Sequence, residues 1–297
     1  MFVIKHQKIF LGVSVFLVLL SLLGVIVFGL KIGIDFKGGS LSEVAYTESV
    51  PDVKDIQAKV DELNFGQATV QPIGEKGVYV KTRDLSEIAR QSLMKTLTFE
   101  GLYPLEERAF TSVGPSVGEE LKKKSIVSLL LVGLGIILFV AYAFRGVSKP
   151  VSSWKYGLIA IVTLLHDVIL TMGVFALLSH TLGVEADTLF VVALLTVLGL
   201  SVNDTIVVFD RVRENLQNKI SDDFKVIVGK SLEQTMVRSL NTSLSTIVVL
   251  LALFFVGPDS TKIFALTLAS GMFFGAYSSI FVASPLLVLV NRRKHSA

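Results

Sequence analysis

The sequence predicts an α-helical membrane protein with six spanning helices and an α+β domain inserted after the first of them. Three observations lead there. Of the 297 residues, 52% are apolar, and they gather into unbroken runs, as in a chain that crosses a bilayer. Six stretches have the roughly 18 or more largely apolar residues that a spanning helix needs. Between the first two, residues of mixed character show two-residue and helical periods in turn. Cysteine is absent, which excludes disulfides, thiolate catalysis and Cys-ligated zinc. The chain also lacks the Gly-x-x-x-x-Gly-Lys-Ser/Thr run of a nucleotide-phosphate loop.

The first apolar run, residues 9–30, follows Lys5 and Lys8. It is too long for the core of an ordinary signal peptide, and no Ala-x-Ala site precedes Lys31, so an uncleaved anchor is expected. Lys31-Ile-Gly-Ile-Asp-Phe-Lys-Gly-Gly39 then leaves the apolar run with glycines that allow unusual backbone and close approach. Its Asp35 and Lys37 are placed for a local pair. A strand is expected at 41–47. A helix follows at 51–63, with Pro51 at its start and Val53, Ile56, Val60 and Leu63 on one face. Strands at 68–73 and 77–81 flank a turn, an amphipathic helix covers 85–99, and a last strand covers 106–113. The order β-α-β-β-α-β is that of a ferredoxin-like layer of two helices on one sheet. No nucleophile-base pair or metal cluster falls within it, so a contact domain is expected here, not an enzyme.

Ser116 and Glu119 have the spacing of a capping box at the return toward the membrane. The second span, 125–144, has Gly133 and Gly135 but no ionisable residue, which suits packing. In the third, 156–178, His166 and Asp167 lie about ten residues, ~15 Å, from one end. They form either a structural hydrogen-bonded pair or a proton relay. Being adjacent, they cannot both point in one direction from the helix. The fourth span, 189–209, carries Asn203 and Asp204, with Ser201 and Thr205 beside them. An Asp in the centre of a spanning helix costs roughly 2.5 to 3.5 kcal/mol on insertion scales, so it is expected to face protein or water and to carry protons or ions. A helix-helix hydrogen bond is the plainer alternative. The helix runs on into Asp210, Arg211, Arg213 and Glu214, spaced for pairing in water.

The weaker fifth span, which ends at Val256, opens with Arg238-Ser-Leu-Asn-Thr-Ser-Leu-Ser-Thr246. Arg238, Asn241 or Thr242, Ser245 and, less closely, Thr246 share a helical face. This seam either brings a guanidinium opposite Asp204, or consists of hydroxyls bonded back to their own helix with Arg238 snorkelling to the interface. The sixth span, 263–290, has Gly271 and Gly275, and is expected to bend or pack closely at Pro285.

The formal charge of +3 matters less than where the cations sit. Lys5, Lys8, Arg145, Lys149, Lys155, the basic stretch from Arg211 to Arg238, and Arg292, Arg293 and Lys294 fall on one side. The alternate loops, 180–187 and 257–262, hold one lysine between them. Both termini are therefore expected in the cytoplasm and the inserted domain outside. Lys122, Lys123 and Lys124 go against this, but they follow a long translocated region, where charge counts for less. The expected organisation is residues 1–30 as N-terminus and first span, 31–124 as the extracytoplasmic domain with its connections, 125–290 as five spans with a cytoplasmic loop at 211–237, and 291–297 as a basic tail.

Gly33-Ile-Asp-Phe-Lys-Gly-Gly39, Val113-Gly-Pro-Ser-Val-Gly118, His166-Asp167, Gly199-Leu-Ser-Val-Asn-Asp-Thr-Ile-Val-Val-Phe-Asp-Arg-Val-Arg-Glu-Asn215 and Arg238-Ser-Leu-Asn-Thr-Ser243 occur in that order. With them the chain resembles, over nearly its whole length, the SecF family of protein-export membrane subunits in the resistance-nodulation-division superfamily. The resemblance implies a six-helix half that pairs with a SecD-like subunit in the bacterial inner membrane. It further implies association with the SecYEG channel and assistance to exported polypeptides at the expense of the proton-motive force. Asp204 and Arg238 match the family positions that carry the proton-dependent step, and His166 and Asp167 fit the third-span pattern. Asn203, Thr205, Thr242, Ser245 and Thr246 would support them. Neither a cofactor nor a nucleic-acid partner is implied. The coupling ion is H⁺, with Na⁺ as the alternative. Competing functions are a proton-driven exporter of lipids or small molecules, a non-titrating scaffold, and an intramembrane aspartyl protease using Asp167 and Asp204. The last is disfavoured because Val-Asn-Asp replaces the Gly-x-Gly-Asp of such enzymes.

Overall fold

The protein is described from a computed structural model, in which residues 2–144 and 151–292 are described. Arg145, Lys149, Arg293 and Lys294, used in the charge argument, lie outside them. The chain begins with α1 (Phe2–Lys5) and α2 (Gln7–Phe28), followed by the single turn α3 (Ile34–Lys37). Then come β1 (Gly39–Tyr46), α4 (Val53–Glu62), β2 (Thr69–Ile73), β3 (Gly77–Thr82), α5 (Glu87–Leu97) and β4 (Leu105–Val113). The remainder is helical: α6 (Pro115–Ala143), α7 (Ser153–Leu182), α8 (Thr188–Gln217), α9 (Phe224–Val256), α10 (Asp259–Ser278), a π turn (Ser279–Ala283) and α11 (Ser284–Arg292). Six helical stretches are long and apolar enough to cross a membrane, the last of them running through the π turn. The chain divides into two units, residues 32–126 and the remainder.

In the smaller unit the sheet order is β2-β3-β1-β4, antiparallel throughout. This is the arrangement expected of β-α-β-β-α-β. Alternation along β1 and β3 sends Val44, Tyr46, Val78 and Val80 to one face, where they are buried with Ile56 and Val60 of α4 and Leu93 and Leu97 of α5. Asp52 and Ser86 start the two helices, their side chains accepting from the backbone N–H of Lys54 (2.8 Å) and Ala89 (3.4 Å). Tyr46, 1% exposed, donates its hydroxyl to the Leu97 carbonyl at 3.1 Å, and burial pushes its pKa up to about 12. Arg90 joins α5 to β4 by pairing with both Glu87 (2.7 Å) and Glu107 while lying over the Phe110 ring. The hydrogen bonds from Arg90 and Gln91 hold Glu87 below the usual carboxylate range.

The glycines around 38 do what a close backbone approach requires. Gly38 has φ +80°, and a Cβ there would stand 2.8 Å from Pro115 Cα; one on Gly118 would stand 2.9 Å from the Gly38 nitrogen. The expected capping box is corrected. Pro115 takes the first helical position of α6, so Ser116 lies inside the first turn. Glu119 and Glu120 pair forward with Lys123 (3.0 Å) and Lys124 (2.7 Å).

In the membrane unit α7, α8 and α10 are the buried helices, while only 6% of the apolar window of α2 is buried. Small residues bring them together. A Cβ on Gly271 would stand 2.1 Å from a Val197 methyl and one on Gly275 3.0 Å from Ser201 Cβ, so α10 lies directly on α8. The irregularity expected at Pro285 lies just ahead of it, where the ring removes a backbone donor and the helix widens into the π turn.

Candidate functional site

Asp167, Asp204 and His166 are 0%, 6% and 6% exposed, and one face of α8 connects them to the neighbouring helices. Ser201, Asp204 and Thr205 share that face at three- and four-residue steps. Ser201 donates to Asp167 Oδ2 on α7 at 2.5 Å. Asp204 Oδ2 accepts from Ser243 on α9 at 2.9 Å. Thr205 meets Ser279 of the π turn at 3.2 Å. Asp167 is the more heavily tied of the two carboxylates. Its Oδ2 also accepts from Ser278 of α10 at 2.8 Å, and its Oδ1 lies 2.8 Å from His166 Nδ1. Three helices thus converge on Asp167, whereas Ser243 alone among the described residues ties Asp204 to α9.

His166 and Asp167 do meet, as the hydrogen-bonded pair that the sequence allows. Their Cβ atoms point in different directions, but the imidazole swings sideways across the helix to reach its neighbour. Its Nε2 is buried without a hydrogen-bond partner, and the ring stacks on Tyr277, centroids 6.2 Å apart. The Tyr277 hydroxyl reaches Ser14 of α2 at 3.1 Å.

The α9 seam does not bring a guanidinium opposite Asp204. Arg238, Thr242 and Ser245 are exposed, and no ion pair of Arg238 is found among the described residues. Asp204 is met by Ser243 instead. Thr242 donates to the Arg238 carbonyl at 2.9 Å, and Ser245 and Thr246 donate to that of Thr242 at 2.9 and 3.1 Å. These are hydroxyls bonded back to their own helix, the plainer of the two alternatives for this seam. Asn203 is exposed too, one position round the helix from Asp204. The face that α9 turns inward carries Thr235, Ser239 and Ser243, spaced by four. Ser243, Ser278 and Ser279 are site residues that sequence reasoning misses. The signal that could find the last two is the series of small residues Gly271, Gly275 and Ser278-Ser279 in a spanning helix, a pattern of close packing. Among the described residues no group of His, Asp or Glu could hold a metal ion.

A sheet of ferredoxin-like order inserted after the first span, and buried carboxylates bridging the helices of the bundle, define a multi-span membrane protein with a polar centre. The family described as protein export membrane protein SecD/SecF, C-terminal, matches residues 94–293. Protein translocase subunit SecF of Thermobaculum terrenum is 40% identical, over 96% of this chain and 92% of that one. The subunit of the same name from Synechocystis is 38% identical, over 86% and 81%. SecDF of Thermus thermophilus, a translocon-associated membrane protein known from a crystal structure, matches with a TM-score of 0.82 at 32% identity, over 96% of this chain and 38% of that one. The chain belongs to the SecD/SecF family of protein-export membrane proteins. It spans 92% and 81% of those two SecF subunits, and 38% of the SecDF chain.

Proposed function

We propose that the chain is the SecF-type subunit of a protein-export translocase in the bacterial inner membrane. A SecD-like subunit supplies the other half, and the complex assists exported polypeptides at a SecYEG-type channel. The observation that carries this is the match along the length of SecF relatives, which SecDF chains contain as a part. The basic N-terminus supports cytoplasmic termini and an external sheet domain. The outward face of α9, with Arg238, Thr242 and Ser245, together with Asn203 of α8, is the surface we assign to the partner subunit.

The proton-motive force drives the cycle, with Asp204 as the group that takes up and releases the proton. A serine hydroxyl both donates and accepts. Ser243 therefore donates to the Asp204 carboxylate and can accept from the protonated acid, so each proton transfer rewrites the link between α8 and α9. A charge moved through 100 mV supplies roughly 2.3 kcal/mol, which biases a two-state element about fiftyfold. Arg238, presented to the partner, supplies the permanent positive charge of the cycle. A sodium ion is the alternative coupling ion. Replacing Asp204 with Asn keeps the shape and removes the ionisation. Export of a secreted reporter is expected to collapse in Asp204→Asn cells while membrane level and partner co-purification stay normal. Unchanged export would leave a scaffold in place of a motor.

A further inference from the structure

At the end of the membrane unit where α2 begins, α1, the first turn of α2 and the start of α9 surround a cavity of about 770 Å³. Lys5, Lys8 and Lys225 line it, and none of the three has an ion-pair partner among the described residues. Its one carboxylate, Asp223, is occupied as the cap of α9, accepting from the Lys225 N–H at 2.9 Å. His6 is likewise engaged, its Nδ1–H donating to the Phe2 carbonyl at 3.1 Å. The cavity therefore carries a surplus of cations.

Gln7 supplies a second, independent observation. It lines the same cavity and is only 5% exposed, yet its Oε1 has no hydrogen-bond partner. A buried acceptor left open costs free energy that a bound donor would recover. Beside this cavity lies another of about 460 Å³, which shares Phe2 and Ile4 with it and continues along Phe10, Leu232, Met236 and Phe281. Glu233 is the charged residue in its lining. A cationic chamber next to an apolar one, flanked by the exposed Phe2 and Ile9, matches an amphiphile at a membrane interface.

We propose that the two chambers bind one anionic phospholipid. Its phosphate lies among Lys5, Lys8 and Lys225, a head-group hydroxyl donates to Gln7 Oε1 once that occluded side chain turns toward the cavity, and an acyl chain enters the apolar chamber. A free phosphate satisfies the lysines but leaves the apolar chamber without an occupant, so the lipid is the better fit.

The test is native mass spectrometry of the full chain in detergent, titrated with dioleoyl phosphatidylglycerol, dioleoyl phosphatidylcholine, dioleoyl phosphatidylethanol and glycerol phosphate. Phosphatidylglycerol is expected to bind about tenfold or more tightly than phosphatidylcholine, and more tightly than phosphatidylethanol, which is anionic but has no head-group hydroxyl. Replacing Lys5, Lys8 and Lys225 together with Gln should erase the first preference, and Gln7→Leu the second. The same triple change at the exposed Lys122, Lys123 and Lys124 should erase neither, which separates a site from general attraction between charges. Lys5 and Lys8 are exposed and Lys225 is half-buried, so folding is not at stake. A preference for phosphatidylglycerol that survives loss of Lys5, Lys8 and Lys225 overturns the site. Glycerol phosphate binding as tightly as the lipid makes it a site for free anions and overturns the lipid assignment.

Discussion

Asp167 and Asp204 are both buried carboxylates, but their partners give them different work. Asp167 gathers His166, Ser201 and Ser278 and so ties α7, α8 and α10 together, while Asp204 is linked across helices by Ser243. A residue that holds three elements is a clamp. Asp167→Ala is expected to destabilise the membrane unit by about 2 to 4 kcal/mol, because it leaves the buried His166 and Ser201 groups without their partner, while Ser278 falls back on the Gly275 carbonyl. Ser201→Ala removes one donor and should cost about 0.5 to 1.5 kcal/mol. Unfolding midpoints of the two variants in detergent check the order, and a milder effect for Asp167→Ala would contradict the clamp. At this scale the carboxylates and His166 were legible because an ionisable group in an apolar run is too costly to sit there without a partner or a task. The serines that hold them were not, since a hydroxyl that bonds its own helix and one that crosses to a neighbour look alike in a sequence.

Among the elements, α9 shows where the helical period loses its power to decide. Residues 238–246 are so rich in polar side chains that every face of the helix carries some. Extrapolation from Arg238 selects the outward face, whereas the packed line runs through Thr235, Ser239 and Ser243. The spans themselves were legible from length and apolarity alone, and so were the helices and strands of the inserted unit, whose single periods agree with single buried faces. The π turn was not, because only the expected irregularity at Pro285 pointed to it. The contact of α10 with α8 yields its own prediction. Gly271→Ala drives a methyl into Val197, and should cost about 1 to 3 kcal/mol by overpacking. Val197→Ala in the same chain should restore part of that loss, so the double-mutant cycle is expected to be non-additive. Additive losses would mean that the two helices do not meet there.

For the molecule as a whole, the division into two units means that residues 32–126 have a hydrophobic core of their own. Expressed alone, this segment should unfold cooperatively in urea, as followed by circular dichroism. Its stability should also carry the signature of Tyr46. The phenol keeps its proton to about pH 12 when folded, against about 10 in an unfolded chain. The unfolded state therefore loses its proton first, and the contribution, complete below pH 10, is lost as the pH rises toward 12. Two pKa units correspond to about 2 to 3 kcal/mol. Tyr46→Phe should abolish that alkaline decline, at the cost of about 1 kcal/mol for the hydrogen bond to Leu97. A decline that persists in the variant would assign it to another group.

The first and last strands of that segment are neighbours, with Gly39 directly opposite Val113. Entrance and exit are therefore only about 5 Å apart across an antiparallel pair. An insert whose ends nearly touch makes little demand on the spacing of the helices it interrupts. It is a cassette: a module of other size or origin could be grafted between the same two points, or the gap closed by a short turn, without re-engineering the bundle.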